Sequence, residues 1–379
     1  MENNRILILC SYDKSIIHFR GDFIKSLIQN GYKVFGAAPE MTKEISDQLI
    51  ELGASPLTFK LQRTRLNPFK DLQSIFELNK MIKKHNIDLV FPYTIKPVIY
   101  GSIAANFAKI PVISLITGLG FTFSAASAKA KLLQKATEFL YKISIRKNKL
   151  IIFQNSDDHQ LFLERNIIPK SKKIAVVNGS GVNLGTYPNR INNKTSERII
   201  FILVARLIKE KGVSLYMEAA EDLKKRFPKA EFHVIGKPDK SPSAINLDKL
   251  NELHHKEIIV YHGPQDNVPE LLYASDIFVL PTFYREGIPR SILEALSVGM
   301  PIITTNSPGC RETVTEGENG FLIKPQSLED LKRAMGYFLE NPIKIKEMGI
   351  ASRALAEKKF NVDIINDHLI ALIKETMTK

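Results

Sequence analysis

Apolar residues fall along this chain in two alternating patterns. Short continuous runs are separated by helix-length segments in which apolar positions recur every three or four residues. Arg5–Cys10, Lys33–Ala38, Asp88–Pro92, Pro111–Ile116, Leu150–Gln154 and Lys173–Val177 have the first pattern and read as buried strands. Ser15–Asn30, Phe69–His85, Ala128–Arg146 and Asp157–Arg165 have the second. Such alternation predicts a parallel sheet covered by helices on both faces. A stretch rich in Gly, Asn and polar residues, Asn178–Thr195, then interrupts it as an interdomain connection would. The alternation restarts with strands at Arg198–Ala205, Glu231–Ile235, Glu257–Tyr261, Ile277–Leu280 and Pro301–Thr304. It ends in the helical patterns Leu328–Leu339, Pro342–Lys359 and Asp363–Met377.

The pattern predicts an α/β chain of two doubly wound domains, 1–185 and 186–360, with a terminal helix at 361–379 that can cross back to the first. Open sheets of this class bind ligands at the carboxyl ends of their strands. The length of 379 residues agrees with two cores rather than one. Two cysteines, Cys10 and Cys310, are too few for a disulfide framework or a multi-Cys zinc site and suit a reducing cytosol. The opening residues lack the long apolar core of a signal peptide. Ile110–Ala128 is uncharged over 19 residues, but its proline, glycines and hydroxyls favour a strand and loop over a membrane span.

Charge divides the chain unevenly. Residues 1–190 carry 27 basic and 14 acidic side chains, residues 191–379 carry 26 of each, so the whole net charge of +13 lies in the first half. It is densest at Lys129, Lys131, Lys135, Lys142, Arg146, Lys147 and Lys149, interleaved with Leu132, Leu133, Phe139, Leu140 and Ile143 at helical spacing. A basic amphipathic helix suits an anionic membrane surface or substrate; equally, it describes a solvated helix that keeps a protein soluble. No sequence signature of a nucleic-acid-binding module occurs, and no nucleic-acid partner is expected.

The chemistry concentrates in Phe278–Thr305. A strand ends near Pro281, a polar loop ends in Glu286-Gly287, and a helix is expected to begin at Pro289 and stop at Gly299. The leading amides of Ile288, Arg290 and Ser291, with the helix dipole, would make an anion site. Glu294, one turn in, would face the same ligand and accept from a diol.

This segment resembles the retaining glycosyltransferases of family 4, whose GT-B fold is two facing Rossmann-like domains with the cleft between them. Their two glutamates separated by seven residues match Glu286 and Glu294. The resemblance implies that Glu294 holds the nucleotide ribose while Glu286, Gly287, Ile288, Pro289 and Arg290 lie by the donor sugar and its phosphates. Val204–Gly212 extends it: an Arg and a Lys so placed clamp the donor diphosphate, which maps onto Arg206 and Lys211. Two fixed cations and a helix terminus do electrostatically what a metal on Asp-x-Asp does in other transferases. No Asp-x-Asp occurs, so neither metal nor cofactor is expected. Gly236, His262 and Gly263 resemble segments packed around the base, although His262 fits an ordinary turn as well. Ser307–Glu312 and Glu316–Phe321 match the family as fold support.

In the first half, Ile17–Arg20, Tyr93–Pro97, Tyr100–Ser102 and Ile116–Phe121 resemble a bacterial subgroup that builds lipid-linked glycans. In it a sugar such as N-acetylgalactosamine passes from UDP to a saccharide on undecaprenyl diphosphate, for O-antigen, capsule or glycoprotein glycans. The resemblance implies an enzyme peripheral to the inner face of the cytoplasmic membrane. The family's Gly-Gly is missing from the first loop, Ser11–Phe19, and His18, Arg20 and Gly21 are candidate substitutes for it. Its usual His is replaced by Thr117-Gly118. Lys96 is either an acceptor-diphosphate ligand or a strand cap. Domain closure would imply a hinge near Asn178–Thr195. The alternatives are a nucleotide-sugar epimerase, a transferase with a soluble acceptor, and a non-catalytic sugar-nucleotide-binding partner.

Overall fold

A computed structural model describes residues 4–62, 67–120, 123, 128–190, 198–239, 241 and 243–378, with backbone alone at 68 and 128–130. Phe121, the side chain of Lys129 and positions 191–195 of the connecting stretch lie outside the described residues. The chain forms two compact units, Met1–Ser180 with Val362–Lys379, and Gly181–Asn361.

The first unit begins β1 (Arg5–Leu9), α1 (Asp13–Gln29), β2 (Lys33–Ala38), α2 (Lys43–Glu51), β3 (Ser55–Thr58) and α3 (Pro68–Lys84). It continues β4 (Leu89–Pro92), α4 (Ile95–Ala108), β5 (Ile113–Ile116), α5 (Ala128–Ser144), β6 (Leu150–Phe153), α6 (Ser156–Glu164) and β7 (Ile174–Val176). All pairings are parallel, in the orders β3-β2-β1-β4 and β5-β6-β7, with the bridges Val90–Val112 and Tyr93–Leu115 joining the two sets. Successive strand residues go to opposite faces, as the pleat requires. Leu7, Leu9, Val90, Ile151 and Phe153 pack with α3, α4 and α5. Ile6, Ile8, Leu89, Ile152 and Leu150 pack with α1, α2 and the terminal helix.

The second unit has β8 (Ile200–Val204), α7 (Val213–Arg226), β9 (Glu231–Ile235), α8 (Leu247–His255), β10 (Val260–Tyr261), α9 (Val268–Ala274) and β11 (Ile277–Leu280). It closes with α10 (Arg290–Ser297), β12 (Ile302–Thr305), β13 (Gly320–Ile323), α11 (Leu328–Glu340) and α12 (Ile343–Leu355). Its strands pair in the order β10-β9-β8-β11-β12-β13, all parallel. The order reverses between β8 and β11, and such switch points open a crevice at the strands' carboxyl ends.

One expectation changes. Residues 182–190 are not a free connection: Val182 and Tyr187 are buried in the second unit's core, and Val182 N donates to Phe360 O at 2.8 Å. The apolar side chains in this Gly- and Asn-rich stretch override its loop-like composition. The terminal helix α13 (Val362–Met377) belongs to the first unit, where Ile365, Leu369, Ile370 and Ile373 enter the core beside α1. Among the described residues, no helix is long and apolar enough to cross a membrane.

Candidate functional site

The second unit's switch point gathers the predicted cations. After β8 the chain makes a short 3-10 turn, Lys209–Lys211, and after β11 it runs through Pro281–Gly287. A single main-chain carbonyl ties these loops together. Glu210 O accepts from Phe283 N at 2.8 Å, Tyr284 N at 3.1 Å and Thr282 Oγ1 at 2.9 Å. Lys211 Nζ donates to Glu286 Oε1 at 2.5 Å, with both side chains mostly buried. The Tyr284 ring lies beside both cations, its centroid 5.7 Å from the Arg206 guanidinium carbon and 5.8 Å from Lys211 Nζ. Arg206 is half exposed and pairs with Asp239 at 3.7 Å. The structure therefore brings Arg206, Lys211 and Glu286 together, with Tyr284 beside both cations.

The Glu286–Gly287 turn rests on the loop after β12. Gly309 has φ +81°, and a Cβ there would stand 1.4 Å from Gly287 O, so only glycine permits this approach. Beneath it, burial pushes the Cys310 thiol up to about 11, with the Glu286 charge adding to the effect. The loop assigned to fold support thus shapes the site directly.

Helix α10 follows at once. Gly287, Ile288 and Pro289 are buried at its start, and Pro289 precedes the first helical residue, Arg290. Ile292 N and Leu293 N return to Pro289 O. Glu294, one turn in, accepts from Arg290 Nε at 2.9 Å and from the Tyr187 hydroxyl, whose acidity burial and that carboxylate both suppress. Tyr187 is anchored through its carbonyl by Ser297 Oγ at 2.6 Å and Arg353 Nη1 at 3.1 Å. Tyr187 and Tyr284 had no motif to mark them.

At the next strands, Gly236 N donates to Gly263 O at 3.0 Å, and a Cβ at 236 would stand 2.1 Å from Ala205 O. His262 Nε2 lies 3.2 Å from His233 Nδ1, and His233 Nε2 lies 3.3 Å from Glu231. Burial and the facing His233 lower the basicity of His262. The described hydrogen-bond contact of its ring is thus a neighbouring imidazole.

In the first unit the acceptor candidates are corrected in two respects. The first loop is shorter than Ser11–Phe19, because the helix starts at Asp13, so His18 stands within α1 together with Arg20. Arg20 falls on the buried stripe of Ile16, Phe23, Ile24 and Leu27, with its guanidinium carbon 5.4 Å from the Tyr93 ring centroid. His18 is exposed. Lys96 does not cap a strand: its Nζ donates to Gln62 O at 2.6 Å and Asp71 Oδ1 at 3.1 Å, joining the starts of α4 and α3. Thr117 and Gly118 are half-buried just beyond β5. At this unit's own reversal of strand order, between β1 and β4, Thr94 has φ +68° and donates to Ser11 Oγ at 3.0 Å. A β-branched residue held there costs about 1–3 kcal/mol, and such strain clusters at functional sites.

Comparison with known proteins agrees with this division. The family model Glycosyl transferase 4-like matches residues 6–155, and Glycosyl transferases group 1 matches residues 189–355. A Campylobacter jejuni protein, N,N'-diacetylbacillosaminyl-diphospho-undecaprenol alpha-1,3-N-acetylgalactosaminyltransferase, is 32% identical over 89% of this chain and 90% of its own. The Escherichia coli UDP-Gal:alpha-D-GlcNAc-diphosphoundecaprenol alpha-1,3-galactosyltransferase is 28% identical over 70% of each. Among solved structures, a Rickettsia africae glycosyltransferase superposes with a TM-score of 0.79 at 18% identity, covering 100% of this chain and 99% of its own. Anabaena HepE, in complex with UDP and glucose, gives 0.77 at 18% identity, over 98% and 100%. These likenesses show the fold, a GT-B chain of two Rossmann-like domains.

Proposed function

This chain belongs to the family 4 glycosyltransferases, and from that premise we propose that it carries a sugar, an N-acetylhexosamine such as N-acetylgalactosamine, from a UDP-sugar to a saccharide on undecaprenyl diphosphate. Family membership sets aside the epimerase reading. The names of the Campylobacter and Escherichia relatives, with their diphospho-undecaprenol acceptors, support the acceptor class. The observation that carries the donor side is the Lys211–Glu286 pair beside Arg206 and Tyr284, at the second unit's switch point.

In this reading the donor diphosphate takes Lys211 from Glu286 and engages Arg206, so both cations are held in place before charge develops. The bond between the sugar's anomeric carbon and the phosphate oxygen breaks. A new bond forms from that carbon to the acceptor hydroxyl on the same face, and the hydroxyl proton passes to the leaving phosphate oxygen. Configuration is therefore retained, with no protein nucleophile. Glu294, preset by Arg290 and Tyr187, accepts from the ribose hydroxyls. No metal is required, since Lys211 and Arg206 supply the positive charge. The enzyme works peripherally, at the inner face of the membrane that holds its acceptor.

The test is transfer from UDP-N-acetylgalactosamine and other UDP-sugars to an undecaprenyl-diphosphate saccharide, read by mass and by anomeric proton coupling. An inverted product or no product with any UDP-sugar overturns the reading. A chelator is expected to leave the rate within about twofold, and abolition would refute metal independence. Tyr284→Leu should raise the donor KM by about three- to tenfold, and Tyr284→Phe should leave it nearly unchanged, because the aromatic face contributes through its quadrupole. Equal effects of the two substitutions would dismiss the cation contacts.

A further inference from the structure

The face of the first unit formed by α3, α4 and α5 exposes apolar side chains that no described residue of that unit covers. These helices share one core beneath them, and α4 packs between α3 and α5. On α3, Phe69 is 87% exposed and Phe76 63%, with Leu72 between them; the spacing of three and four residues puts them on one stripe. On α5, Leu132 is 71% exposed and Phe139 62%, with Ile143 one turn on. Exposed lysines flank both stripes: Lys70, Lys80, Lys83 and Lys84 on α3, and Lys131, Lys135 and Lys142 on α5. Single exposed apolar residues are ordinary, whereas two parallel stripes of aromatic and branched residues edged with lysine are not.

We propose that this layer is the surface on which the protein lies on an anionic bilayer, with α3 and α5 in the interface plane and Phe69, Phe76, Leu132 and Phe139 inserted among the acyl chains. The inference rests on the membrane-side reading above and adds α3 as an inserting element equal to α5. Charge selects the occupant. The excess of basic residues lies wholly in residues 1–190. A second copy of the same face would bring lysine against lysine, whereas an anionic headgroup layer neutralises them while the stripes leave water.

The chain has no tryptophan, so one introduced indole reports its own surroundings. Phe69→Trp, Phe76→Trp and Phe139→Trp are compared with Ile50→Trp and Ile364→Trp, which replace exposed residues of α2 and α13, the helices packed on the other side of the sheet. With vesicles containing phosphatidylglycerol, emission at 69, 76 and 139 should move to the blue and be quenched by a lipid-borne quencher, while 50 and 364 stay unchanged. Pure phosphatidylcholine should give a much weaker response. Three results overturn the proposal: no shift at 69, 76 or 139; an equal shift at the control positions; or a shift without vesicles that grows with protein concentration, which would assign the face to a second copy.

The combined substitution Phe69→Ser, Leu72→Ser, Phe76→Ser should lower partitioning onto the anionic vesicles by more than about tenfold. It should leave transfer to a short, water-soluble acceptor analogue unchanged. Blue shifts in a protein that transfers no sugar would retain this surface and reject the proposed reaction. Full transfer with no shift would do the reverse.

Discussion

Lys211→Ala is expected to lower the turnover number for sugar transfer by about 10²–10³-fold, the usual effect of removing one preorganised group that stabilises developing negative charge. Lys211 is mostly buried, with its ammonium 2.5 Å from Glu286, so the substitution also removes the cation paired with this carboxylate in a region of restricted water. Losing one member of such a pair costs on the order of 3 kcal/mol. The two effects separate in the double variant Lys211→Met, Glu286→Gln. Removing both charges should recover most of the lost thermal midpoint and none of the turnover. Calorimetry beside steady-state kinetics decides it. If Lys211→Ala turned over at the parental rate, the assignment of this ammonium to the leaving diphosphate would be wrong.

Gly309→Ala should be nearly as damaging, although residue 309 bears no reactive group. Its backbone is in the left-handed region, and the added methyl would stand 1.4 Å from Gly287 O. One side must move, and the side that carries Glu286 is a turn. A stability loss of about 2–4 kcal/mol is expected from strain of this kind. Because a displacement near 1 Å can disable an oriented site, kcat/KM should fall by about 10²-fold. Gly336→Ala in α11, where the methyl meets open space, is the control and should leave both quantities unchanged or raise stability slightly. Parental kcat/KM in Gly309→Ala would mean that the Glu286–Gly287 turn does not depend on this contact.

How much of this was legible in the sequence depends on the signal each element emits. The central strands were legible because buried parallel strands are continuous apolar runs, as at Ile277–Leu280. Helix α4 was less so. Val98, Ile99, Tyr100, Ala104 and Ala105 are all buried, leaving little polar face to produce a 3.6-residue period, so no helix was predicted there. The site divides in the same way. Glu286, Glu294, Arg206 and Lys211 stand in spaced motifs, whereas Tyr284 and Tyr187 act through ring position and a buried hydroxyl, which depend on packing. Arg20 was singled out as a substitute for a missing glycine pair, which left its burial unread. Its period with Ile16, Phe23 and Leu27 was the better guide, and it points inward.

The return of α13 has a consequence for synthesis. Gly181–Asn361 is an unbroken stretch and can complete its core as soon as it leaves the ribosome. The first unit cannot, since Ile365, Leu369, Ile370 and Ile373 arrive only with residues 362–379. The unit begun earlier is therefore finished later, and until α13 emerges the apolar groove beside α1 stands open to chaperones. A nonsense codon near position 361 should thus yield an aggregating product despite an intact second unit, and supplying the missing helix as a separate peptide should restore its solubility.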